Sequence, residues 1–178
     1  MKYQELGLRG AYVISPEPIS DVRGFFARVW DAGEFTGHGL DATVVQCNMS
    51  FNLKRGTVRG MHFQRPPHEE VKLVRCHRGS IFDVIVDVRP SSPTRLRWEG
   101  VVLAAENRLA LYVPKGFAHG YQTLEDDTEV FYQVSEYYHP ESEGALLWND
   151  PAVGIRWPIT DVIVSEKDRK AAPLPAQA

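Results

Sequence analysis

The sequence predicts an all-β protein, a sandwich or barrel of many short antiparallel strands. Runs rich in β-branched and aromatic residues recur at short intervals, Gly, Pro and Asn signals separate them, and only two short segments look helical. The strand runs are Lys72 to Arg75, Ser80 to Val88, Trp98 to Leu103, Leu109 to Val113 and Glu129 to Val134. In Ser80 to Val88 two aspartates interrupt an apolar run, the pattern of a strand buried on one face and partly on the other. Asp83 then points the same way as Ile81 and Ile85. Ser91-Ser92-Pro93, Asp126-Asp127 and Asn149-Asp150-Pro151 read as turns, and Asp31 to Phe35 and Glu166 to Lys170 as helical turns.

With 178 residues, 43% of them hydrophobic, the chain is long enough for one sizeable core and short for two. One domain is expected over residues 1–170, followed by a disordered tail over 171–178, where four alanines and two prolines gather. Twenty basic against 23 acidic residues give a net charge of -3, which offers no global attraction for nucleic acid. No run approaches the roughly 18 apolar residues of a membrane span. The opening Met1-Lys2-Tyr3-Gln4-Glu5 lacks the apolar stretch of a signal peptide, so a soluble cytoplasmic protein is expected. Cys47 and Cys76 form no CxxC pair and read as buried small hydrophobes.

Two segments carry candidate chemistry. Arg59-Gly60-Met61-His62-Phe63-Gln64 places an arginine and a histidine three positions apart, with a glycine between them that permits close backbone approach in a strand. Pro114 to Gly120 places His119 after a turn, in a spacing that resembles the second motif of cupin barrels. Metal-binding cupins supply a His-x-His pair, whereas His62 is followed by Phe63 and Gln64. His68, Glu69, Glu70 and His77 remain, but His68-Glu69-Glu70 follows two prolines and reads equally as a solvated loop, so no metal is expected. Hydrolysis lacks a Gly-x-Ser-x-Gly elbow, and Gly37-His38-Gly39 lacks the third glycine of a dinucleotide site.

Taken together, the ordered motifs resemble the dTDP-4-dehydrorhamnose 3,5-epimerase family from Leu8 to Asp168. They include Asp21-Val22-Arg23-Gly24-Phe25-Phe26, Gln46-Cys47-Asn48, Gly56 to His62, Lys72 to Arg75, Pro114 to Gly120, Tyr137-Tyr138, Trp148 to Pro151 and Ser165 to Asp168. The resemblance implies a homodimeric cupin-type double-stranded β-helix, or jelly-roll barrel, that needs no cofactor. It also implies inversion of the carbons beside a 4-keto group on a nucleotide-linked 6-deoxyhexose. Such chemistry needs a base, a stabiliser for the enolate oxygen and an acid on the far ring face. By resemblance His62 is the base, Asp168 orients it, Lys72 stands beside the sugar O4, and Tyr132 reprotonates. Arg23, Arg59, His119, Gln46 and Asn48 match substrate and diphosphate contacts, Tyr138 the aromatic that stacks on the nucleobase, and Glu143 another contact.

Two positions depart from the family pattern. Arg28 stands where a carboxylate is usual, and Gln133 follows the tyrosine where a lysine is usual. The first places Arg28 among the substrate-binding candidates, on a strand from Arg23 to Trp30, and leaves the nucleotide and sugar open. The alternatives are inversion of one centre alone, a ketoisomerase on another nucleotide sugar, and a non-catalytic sugar-binding module. A complete base and acid set weighs against the last.

Overall fold

The computed structural model describes residues 1–173 and is almost entirely β. One sheet is ordered β1 (Lys2–Glu5), β2 (Tyr12–Ser15), β10 (Ala110–Val113), β7 (Lys72–Arg78), β12 (Thr128–Val134) and β5 (Gln46–Asn52). The second is ordered β13 (Glu143–Ala145), β6 (Thr57–Gln64), β11 (Phe117–Thr123), β8 (Ser80–Asp87) and β9 (Trp98–Ala104). Strand β14 (Ile163–Val164) adds to β6 in parallel, and β3 (Ile19–Asp21) pairs only with β4 (Gly24–Phe26). All other pairings are antiparallel, and successive strands cross between the two sheets as in a jelly roll.

The alternation of side chains explains both cores. Between the sheets Val74, Cys76, Leu111 and Val130 from the first meet Ile81, Ile85, Leu103, Phe117 and Tyr121 from the second. The opposite face of β8 gives Val84 and Val86 to a separate cluster with Met61, Ala118 and Leu146. Strand β8 is therefore buried on both faces, which is why its sequence is nearly continuously apolar. On the outside of the first sheet, Phe35 of α1 (Ala32–Gly37) covers Ile14, Leu73 and Tyr112. Asp31 starts α1 by accepting from the Glu34 N–H at 3.0 Å.

Five strand runs read from the sequence become β7, β8, β9, β10 and β12 with boundary shifts, and both helical turns are present, the second as α2 (Glu166–Arg169). The strand expected from Arg23 to Trp30 is not continuous. Asp21 Oδ1 accepts from the Arg23 N–H at 2.8 Å and Gly24 takes φ +127°, so the chain reverses and puts Arg23 at a hairpin tip. Cys47 is exposed, contrary to expectation, because it lies on the outward face of β5, whereas Cys76 is buried. Of the expected tail, residues 171–173 have no regular structure and 174–178 lie outside the described residues.

Candidate active site

A cavity of about 600 Å³ opens between the two sheets, and His62, Arg59, Lys72, His119, Tyr132 and Asp168 all line it. Arg59 and His62 are an odd number of residues apart, so a regular strand would point them to opposite faces. The register shows how they come together: His119 lies opposite His62 and Tyr121 opposite Arg59, so β6 carries one extra residue there. Gly60, at φ +128°, occupies the bulge, and a Cβ on it would lie 2.6 Å from the Gly120 Cα. Glycine is needed on both strands for this approach, since a Cβ on Gly120 would lie 2.6 Å from the Arg59 carbonyl oxygen.

The parallel strand β14 brings α2 against β6 and delivers Asp168 to His62. The His62 Nε2 is 2.7 Å from Asp168 Oδ1, and Asp168 Oδ2 accepts from the Gly60 N–H at 3.2 Å. Ser165 caps α2 by accepting from the Asp168 N–H at 3.1 Å, which fixes the carboxylate's direction. Burial would raise the Asp168 carboxyl, but the hydrogen bond and charge of His62, with the Gly60 N–H, outweigh it and hold its pKa below the ordinary value. An imidazole held at one nitrogen by a carboxylate can take a proton at the other and be stabilised as a cation.

Across the cavity, β7 and β12 of the other sheet supply Lys72 and Tyr132. The Lys72 Nζ is 3.1 Å from Glu70 Oε1, so Glu70, which reads as a solvated loop residue in the sequence, joins the site. Burial and then the Glu70 charge raise the Tyr132 phenol's pKa, against a smaller pull from Arg59, so the phenol keeps its proton at neutral pH. A second phenol, Tyr121, also lines the cavity and lies 2.7 Å from the Ser50 hydroxyl. His119 Nε2 is 2.7 Å from Asp83 Oδ1, and Asp83 is fully buried on the face shared with Ile81 and Ile85. That alternation was legible in the sequence; the partner across β11 was not. Arg59 is oriented by its Nε donating to Asn52 Oδ1 at 2.7 Å.

The remaining candidates divide. Gln46 and Asn48 lie opposite Val134 and Tyr132 in the β5–β12 pairing, on the face that Ser50 and Tyr132 present to the cavity. Tyr138 is exposed beyond the cavity, where its hydroxyl donates to Glu143 Oε2 at 3.0 Å. That bond raises the phenol's pKa, while an ion pair with Lys167 holds the Glu143 carboxyl down. Lys167 also lines the cavity, a residue that no sequence motif singles out. Arg23 and Arg28 are outside it: Arg23 pairs with Asp21, and Arg28 lies 3.5 Å from Asp31. Gln133 points away from Tyr132, on the outer face of β12.

Among the described residues one group has metal-ligand types close together, His68, Glu136 and His139, with ligand atoms within 4.8 Å of one another. The two imidazoles stack at 3.5 Å with an interplanar angle of 8°. Parallel rings direct their in-plane lone pairs into separate planes, so they do not converge on one ion as they stand.

Fold and site define a cupin-type β-barrel with a His–Asp pair and a lysine–tyrosine wall facing one cavity. The chain belongs to the dTDP-4-dehydrorhamnose 3,5-epimerase family, whose sequence profile matches residues 5–176. The epimerase of Methanothermobacter thermautotrophicus is 44% identical over 176 residues, 97% of this chain and 94% of that protein. The Bacillus anthracis epimerase, solved with TDP and PPi bound, superposes with a TM-score of 0.94 at 42% identity, covering 97% of this chain and 99% of that one. ChmJ, a 3'-monoepimerase from Streptomyces bikiniensis solved with dTDP-quinovose, gives 0.86 at 35% identity, with 94% and 85% covered. No helix among the described residues is long and apolar enough to cross a membrane.

Proposed function

We propose that this chain is a cofactor-independent epimerase that inverts C3 and C5 of dTDP-4-dehydro-6-deoxy-glucose, giving dTDP-4-dehydro-rhamnose. The observation that carries it is that His62 with Asp168 and Lys72 with Tyr132 line one cavity from opposite sheets. A sugar ring between them meets a base on one face and a phenol on the other, which is what inversion through an enolate requires. His62 removes the proton beside the ketone and Asp168 stabilises the imidazolium. Lys72 stabilises the charge growing on O4, and Tyr132 protonates the carbon from the other face. Arg59 and His119 meet the diphosphate, with Gln46, Asn48 and Glu143 as further contacts and Tyr138 against the base.

The acting unit in this reading is a homodimer of single domains spanning residues 1–170, in the cytoplasm. Ile19, Val22, Phe25 and Phe26 on the hairpin and Met49 and Phe51 on the outer face of β5 are exposed apolar residues, a surface suited to a second copy. A partner's hairpin would also carry Arg23, and Arg28 behind it, toward a cavity that the chain's own copies do not reach.

The test is deuterium wash-in at C3 and C5 from deuterated water, using chelator-treated protein. Exchange at both carbons is expected, with a loss of about 10²-fold to 10⁴-fold in His62→Ala. Exchange that vanishes with chelator and returns with a divalent metal would refute the cofactor-independent mechanism. The similarity to ChmJ favours a second reading, inversion at C3 alone, which exchange confined to that carbon would select.

A further inference from the structure

We propose that a second cavity, between the hairpin stem and the outer face of the first sheet, binds a small phosphate-class oxoanion. It has a volume of about 210 Å³, and Arg75, His77 and Arg108 line it with Phe25 and Val29. No aspartate or glutamate is among its lining residues.

Arg75 is the centre of the site. Only 7% of it is exposed, yet among the described residues its side chain makes one hydrogen bond, from Nη2 to the Val29 carbonyl oxygen, and it has no carboxylate partner. A guanidinium has five N–H donors, and a buried cation is ordinarily paired. Arg108 supplies a second guanidinium, laid 4.5 Å over the Phe25 ring while its Nη1 donates to the Glu106 carbonyl oxygen. His77 is held flat against Phe131 with centroids 5.0 Å apart. Two planar forks and an imidazole around one acid-free space match the tetrahedral oxygens of a phosphate or diphosphate group. Burial alone lowers the Arg75 pKa to about 10, which still leaves it charged at neutral pH. An anion would relieve that uncompensated charge.

The cavity is too small for a nucleotide sugar, since pockets for ligands of that size span about 300 to 1,000 Å³. It shares no lining residue with the large cavity. Lys72 and Arg75 stand three apart on β7, so they project from opposite faces of the sheet.

Isothermal titration of the intact protein with inorganic pyrophosphate, and separately with phosphate, tests the site. Binding is expected to persist in Arg59→Ala, which weakens the large cavity's own phosphate contact. It should weaken about ten-fold to a hundred-fold in Arg75→Gln and in Arg108→Ala. Because Arg108 is exposed, its variant is expected to fold even if Arg75→Gln does not. Binding abolished by Arg59→Ala and unchanged by Arg108→Ala would place the anion in the large cavity and overturn the proposal. So would an absence of binding at millimolar pyrophosphate, or Arg108→Ala loosening an oligomer without any anion effect, which would make a partner's carboxylate the occupant.

Discussion

The Lys72 ammonium and the Glu70 carboxylate lie 3.1 Å apart, each side chain 13% exposed. In the proposed mechanism, the cation that stabilises the enolate oxygen is thus held beside an anion already in place. The carboxylate fixes the lysine by an ion pair, and its charge favours the protonated form of Tyr132. Removing its charge in Glu70→Gln should lower the Tyr132 pKa and move the alkaline limb of the kcat profile to lower pH. We expect kcat to fall about ten-fold, since loss of a positioned ion pair misplaces the oxyanion stabiliser. A pH profile of kcat checks this, and an unmoved limb would make Glu70 a packing residue.

Tyr132 and Tyr121 both present phenols to the cavity, and only the roles of their protons separate them. Tyr132→Phe should damage net inversion more than deuterium exchange, because an enolate can still regain a proton on the face that lost one. Tyr121→Phe should lower both modestly and together, since its hydroxyl serves the network of Ser50 and Asn52. Comparing product stereochemistry with isotope incorporation in the two variants decides it. The reverse pattern would move the acid to Tyr121.

Asp87 is a stability element apart from the chemistry. Burial would raise its carboxyl, but hydrogen bonds from Arg89, Ser92 and Thr94 outweigh burial and hold its pKa at about 2. Because the folded value is depressed, the stabilisation is complete above the unfolded pKa of about 3.9 and is lost as pH falls toward about 2. Asp87→Asn should therefore cost on the order of 2 kcal/mol at neutral pH and progressively less below about pH 4. Urea unfolding at several pH values measures it; a pH-independent deficit would assign the loss to packing.

Mixed dimers test whether the hairpin arginine serves the partner's cavity. If the chain pairs as proposed, Arg23→Ala and His62→Ala homodimers should both be impaired. Co-refolding the two should restore activity, because one cavity of each mixed dimer then has its own His62 and an intact Arg23 from the partner. About a quarter of the wild-type rate is expected at equal mixing, since half of the dimers are mixed and each has one complete site. No recovery would confine Arg23 to its own protomer.

By itself the sequence determined the all-β class, five of the fourteen strands among the described residues and both helical turns, and it named His62, Lys72, Tyr132 and Asp168 as candidates for the chemistry. Those are local properties, set by β-propensity, turn chemistry and capping, and by ordered motifs that survive without coordinates. Only the tertiary structure decided that Arg59 and His62 share a face, because a one-residue bulge reverses side-chain direction and leaves no periodic trace beyond a glycine. It also turned Glu70 inward to Lys72, joined Asp83 to His119, and left Arg23 and Arg28 outside the cavity. His62 and Asp168 are 106 residues apart in sequence and 2.7 Å apart in space. Their meeting depends on a two-residue parallel strand and a single helical turn, a contact that pairing geometry creates and composition does not encode.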